Sequence, residues 1–153
     1  MIQRIQSFYL LLVALLMATV IFMPLTSFNT IDASYEFLPY GVVSMGIPSK
    51  MVLQTWPLAA LAALSAILSF LAIFMYKKRT LQMKCCTFVQ LLIFAFYIVF
   101  FSFWWLIQKD FQIANPTLDA ALTMPIVALI LCYIARRKIK QDEMLVRSAD
   151  RIR

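Results

Sequence analysis

Three cysteines and one aspartate are the residues of this chain best placed to do chemistry. Cys85 and Cys86 are adjacent, and Cys132 stands apart. Thiolates bind soft metals, but a structural site needs about four ligands, usually from spaced cysteine and histidine pairs. The chain has no histidine. The cysteines therefore read as small apolar residues, and neither metal nor cofactor is expected. Asp119 is the acidic residue that borders an apolar run. A carboxylate inside a membrane span marks an ion or proton pathway by default, whereas in the first turn of a helix the helix dipole favours it. Both readings of Asp119 stand. The seven Asp and Glu residues lie mostly in loops and tail, and assemble no nucleophile–base pair or carboxylate pair. The expectation is a protein that is not an enzyme.

The elements around these residues are set by composition. Hydrophobic residues make up 63% of the 153 and charged residues 14%, against about half and about a quarter in soluble domains. A soluble monomer of this composition would expose large apolar patches, so the bilayer is the natural solvent. A spanning helix takes ~20 apolar residues. Four spans are predicted, over residues 5–23, 57–76, 85–107 and 116–135. The first is longer than a signal-peptide core and lacks a small-x-small cleavage site, and reads as an uncleaved anchor. Pro57 suits a first helical turn, and Asn115 with Pro116 reads as the N-cap and first residue of the fourth span. Pro125 is expected to bend that span.

Twelve of the fourteen Lys and Arg residues fall on one side of this layout, and only Lys50 and Lys109 on the other. Positively charged flanks stay cytoplasmic. Both termini are therefore expected inside an inner (cytoplasmic) membrane, and the longer connections outside. Lys77, Lys78, Arg79, Arg136, Arg137, Lys138 and Lys140 would contact anionic lipid headgroups, at ~1 kcal/mol each. No nucleic-acid partner is implied, because the basic residues sit at the ends of apolar runs.

Small residues at Ala59, Ala62, Ala63, Ala66 and Ser69 recur at helical spacing and form a face for close helix packing. The third span is aromatic and ends in Trp104 and Trp105, the pattern of an outer interfacial belt. In the outer loop, residues 25–55, Thr30 to Phe37 alternate polar and apolar, and "PYG" supplies a turn before "VVSM". A small outer β-hairpin is predicted there. The expected fold class is thus all-α integral membrane, with four transmembrane helices, a single domain and only this hairpin added.

The closing "RRKIKQDEMLVRSADRIR" has no Gly or Pro to stop a helix. On a wheel Ile139, Leu145, Val146, Ala149 and Ile152 share one arc, opposite a face of both charge signs. A lipid anchor alone would be more uniformly basic. The cytoplasmic tail helix, residues 136–153, therefore suits association with a partner or with itself, although a surface-lying helix or a disordered end remain alternatives.

The opening "MIQRIQSFYLLL" and the closing "KQDEMLVRSADRIR" together resemble a family of small four-helix inner-membrane proteins of Bacteroidota classed as a domain of unknown function. The resemblance implies an integral cytoplasmic-membrane protein and assigns no activity. Its matching positions are Arg4, Gln6, Asp142, Glu143, Arg147, Asp150 and Arg151, which are expected to form a cytoplasmic polar cluster, with Arg4 pairing a tail acid. The function expected from these readings is a non-enzymatic accessory or scaffolding subunit of an inner-membrane assembly, partnered by another membrane protein or itself. The alternative is a small transporter or channel-like homo-oligomer with Asp119 near its outer entrance.

Overall fold

The structure is a computed structural model. It describes all residues except 1, 31–32, 47–48, 77–78, 111–113 and 151–153, and only the backbone of 2–4, 110, 114–115 and 145–150. Among the described residues four α-helices and five β-strands follow in the order α1 (Ile2–Val20), β1 (Thr26–Asn29), β2 (Ser34–Leu38), β3 (Gly41–Ser44), β4 (Met51–Gln54), α2 (Trp56–Phe74), α3 (Arg79–Asp110), β5 (Ala114–Leu118) and α4 (Met124–Asp150). A 3-10 turn, Ala120–Thr123, leads into α4.

The helices pack in a cycle, α1 on α2, α2 on α3, α3 on α4 and α4 on α1. The helix α1 closes at Val20 through a tightened turn, with Ile21, Phe22 and Met23 each donating to the carbonyl three residues back, before Pro24 forbids continuation. In α2, Ala62, Ser65, Ser69 and Ala72 are fully buried. Their spacing of three or four residues puts them on one face. The two serines bond to their own helix backbone, Ser65 to Ala62 O at 2.8 Å and Ser69 to Ser65 O at 2.7 Å, so the packed face carries no unsatisfied hydroxyl. Ala59, Ala63 and Ala66 are half-buried.

All five strands form one antiparallel sheet, in the order β4-β3-β2-β1-β5. Phe37 of β2 meets Phe100 of α3 edge-on at 5.3 Å, and Phe28 of β1 meets Trp104 at 5.9 Å. These buried aromatics join the sheet to the far half of α3. At Gly41 β3 leaves no room for a side chain against β4, because a Cβ there would lie 2.9 Å from the Leu53 carbonyl oxygen.

This architecture overturns the expected all-α fold with four transmembrane helices and a small hairpin. The β2–β3 hairpin with its Pro39-Tyr40 turn is only the middle of a sheet that also gathers β1, β4 and, from the other end of the sequence, β5. Asn115 and Pro116 belong to β5, not to a helix start, and α4 begins at Met124. Pro125 accordingly sits in the first turn of α4, where its missing N–H breaks no bond, and not in mid-span. Among the described residues three helices, Trp56–Phe74, Arg79–Lys109 and Ala120–Met144, are long and apolar enough to cross a membrane, whereas Ile5–Val20 is a shorter apolar helix. This is the build of a membrane protein. Along α3 the exposed side chains Phe88, Leu91, Phe94, Ile98, Phe101 and Trp105 recur at three- and four-residue steps, an apolar stripe of about 26 Å at 1.5 Å per residue.

Candidate functional site

The polar chemistry is concentrated at the two ends of the helices. At the sheet end, Ser27 Oγ of β1 donates to Asp119 Oδ2 at 2.6 Å, and the Asp119 amide donates to Leu25 O at 3.3 Å. Thr117 Oγ1 donates to Ser27 O at 2.9 Å. Asp119 therefore fastens the start of the 3-10 turn to β1, across ninety-two positions of sequence. Thr55, fully buried, donates to the carbonyls of Leu38 and Pro39 at 3.0 and 3.2 Å, which fixes the entry to α2 against the β2–β3 turn.

The register of α3 against α4 is held by three contacts. Tyr97 OH donates to Leu122 O at 2.7 Å, Cys132 Sγ–H to Cys86 O at 3.4 Å, and Arg79 Nη1 lies 2.9 Å from Asp142 Oδ2. They run from 97 back to 79 on α3 and from 122, in the 3-10 turn, on to 142 in α4, which is about 27–30 Å of antiparallel pairing. That length matches the ~30 Å of a bilayer's hydrocarbon core.

At the end opposite the sheet, Gln82 is buried and its Nε2 donates to Ala72 O at 3.0 Å. Ala72 lies in the last turn of α2, and its carbonyl also accepts the Met75 amide at 3.3 Å, so a side chain of α3 adds a second donor at the C-terminal end of α2. Arg79 then ties the first residue of α3 to α4 through Asp142; the contact is an ion pair without hydrogen-bond alignment. Gln6 is buried in α1, and its Nε2 has no hydrogen-bond partner among the described residues.

Beside this collar a groove of about 440 Å³ is lined by Thr80, Met83, Lys84 and Thr87 of α3 and by Arg136, Lys140, Glu143 and Met144 of α4. A second groove, of about 390 Å³, lies along α4 and shares Arg136, Lys140 and Met144 with it. The lining of the first holds three cations and one carboxylate, a composition suited to an anion. Neither groove offers a metal site, and among the described residues no group of three Cys, Asp or Glu could hold one.

The predicted site residues are distributed as follows. Asp142 faces Arg79, and Glu143 lines the groove and is engaged in an interaction of its own. Arg136, Arg137, Lys138 and Lys140 are exposed. The pairing expected of Arg4, and the roles expected of Arg147, Asp150 and Arg151, fall on side chains outside the described residues, as do Lys77 and Lys78. Ser27, Gln82, Thr80 and the groove role of Lys84 were not singled out from sequence. A glutamine near the start of an apolar helix was the available signal for Gln82, since a buried amide needs a partner.

Among families, the model described as a domain of unknown function, DUF4293, matches residues 2–152. No curated protein and no solved structure matches the chain.

Proposed function

The chain belongs to the DUF4293 family, a domain of unknown function, and we propose that it is a non-enzymatic accessory or scaffolding subunit of a cytoplasmic-membrane assembly. The observation that carries this reading is the open sheet. Its edge strand β4 exposes Met51, Val52 and Gln54 and pairs only with β3 among the described residues. An edge of this kind is a template for a strand of another protein.

In this reading both termini are cytoplasmic and the sheet lies on the outer face. The distribution of Lys and Arg supports that orientation: Lys84, Arg136, Arg137, Lys138 and Lys140 stand opposite the sheet, and Lys109 stands beside it. The shorter α1 packs against α2 and α4. The interior argues against a transport route, since the buried polar residues among those described, Gln6, Thr26, Thr55, Ser65, Ser69 and Gln82, are all neutral.

The test is a native purification in mild detergent with a tag in the outer loop. The wild-type chain should bring down a membrane protein at fixed stoichiometry. Val52→Pro, placed on the edge strand, or deletion of residues 141–153 should release it while leaving the chain folded. A chain that elutes alone or only with itself overturns the proposal.

A further inference from the structure

The groove between α3 and α4 joins a basic lining to an exposed apolar surface. Its cations come from two helices, Lys84 from one and Arg136 and Lys140 from the other, with the hydroxyls of Thr80 and Thr87 in the same wall. One carboxylate, Glu143, offsets one of the three charges, so two positive charges remain. Arg136 and Lys140 stand four residues apart on one helix face, and the register of α3 against α4 brings Lys84 level with them.

The apolar side chains directly beside the groove decide between ligands. Phe88 is one turn from Lys84 and is 54% exposed, and Tyr133 is three residues from Arg136 and 56% exposed. Both stand where the apolar surface of α3 and α4 begins. A free anion would use the cations alone, whereas a phospholipid uses both surfaces at once: its phosphate takes the cations, and its acyl chains lie along Phe88 and Tyr133. Met83 and Met144 supply an adaptable apolar lining against which a glyceryl backbone can rest.

We infer that this groove binds the phosphate of an anionic phospholipid headgroup, holding one lipid between α3 and α4. The inference rests on the orientation proposed above, in which this end meets the inner leaflet, and concerns a different surface from the sheet edge proposed as the docking strand. A lipid in the groove would bridge the two helices beside the Arg79–Asp142 pair.

Native mass spectrometry of the full chain, released from nanodiscs of equimolar phosphatidylglycerol and phosphatidylcholine with matched acyl chains, tests it. The wild-type chain should retain one phosphatidylglycerol in preference to phosphatidylcholine. Lys84→Gln and Lys140→Gln should each lower that preference about fivefold, and the double variant about twenty-fivefold, at ~1 kcal/mol per cation near a membrane surface. Lys109→Gln, at the sheet end, should leave it unchanged, and Lys84→Arg should preserve it. If a glutamine variant fails to fold, the wild-type chain decides alone, because the preference should collapse when salt is raised from about 0.1 M to about 1 M. An undiminished preference in the double variant, an equal loss in Lys109→Gln, or a salt-insensitive preference overturns the site. Displacement of the lipid by millimolar inorganic phosphate overturns the lipid assignment in favour of a free-anion site.

Discussion

Arg79, the first residue of α3, lies 2.9 Å from Asp142, eighteen residues into α4. The pair closes one end of the α3–α4 contact whose other end is the Tyr97–Leu122 hydrogen bond. Both side chains are largely shielded, 26% and 15% exposed, so the ion pair is less screened than one on an open surface. A polar tie is thus set at the end of the helix pair, beside the basic groove.

Arg79→Asp and Asp142→Arg should each lower the thermal midpoint in detergent, and the double swap should recover most of the loss. A double-mutant cycle should return a coupling of about 1 kcal/mol. Additive effects would show that the two charges act separately.

Gln82→Leu removes the cap on Ala72 O and leaves that carbonyl without its side-chain partner. Ala72 O keeps the Met75 amide, so the expected cost is about 0.5–1.5 kcal/mol, read as a lowered midpoint, with faster amide exchange confined to the last turn of α2. Gln82→Glu should not rescue it, because a carboxylate offers no donor. Unchanged exchange at Ala72 to Met75 would remove the capping role.

Asp119 separates the structural reading from the ion-pathway alternative. Asp119→Asn keeps an oxygen that can accept from Ser27 and should cost less than about 0.5 kcal/mol, whereas Asp119→Ala should cost about 1 kcal/mol. Ion flux in proteoliposomes should be at background for the wild-type chain and for both variants. A flux that Asp119→Asn abolishes would favour a conducting homo-oligomer.

Gly41→Ala forces a methyl to within 2.9 Å of the Leu53 carbonyl oxygen, and backbone has to move to admit it. The β3–β4 pairing should open, with exchange rising in Met51–Gln54 and the helices unaffected. If β4 docks a partner, the same substitution should release it, although no residue of the edge itself is changed. Protection of β4 equal to wild type would mean that the strands can separate without unpairing.

Local pattern made part of this molecule legible from sequence, and the rest depended on distant pairing. Period-two alternation up to Phe37 and the "PYG" turn indicated a hairpin, because both signals lie within a dozen residues. The strand β5 was hidden for two reasons. Asn115-Pro116 has the chemistry of a helix start, and the partner of β5 is β1, some ninety residues earlier. β4 abuts α2 with only Thr55 between them, and its four residues do not stand out from the outer loop, because so short a run carries no alternation of its own. At the groove, Arg136 and Lys140 were legible as a basic flank of an apolar run, whereas Lys84 and Thr80 joined them only once the α3–α4 register was known. Arg79 was read for its charge alone, and its pairing with Asp142 depends on that same register.

The most direct test of the account is the side of the membrane on which each end lies. Single cysteines at Ser49, in the β3–β4 connection, and at Gln141, on the exposed face of α4, can be labelled with a membrane-impermeant maleimide in a chain whose Cys85, Cys86 and Cys132 are replaced by alanine. Ser49→Cys should label in intact cells, and Gln141→Cys only after permeabilisation. Labelling of Gln141→Cys in intact cells, with Ser49→Cys protected, would put the basic groove outside and the sheet inside, and would contradict the proposed orientation.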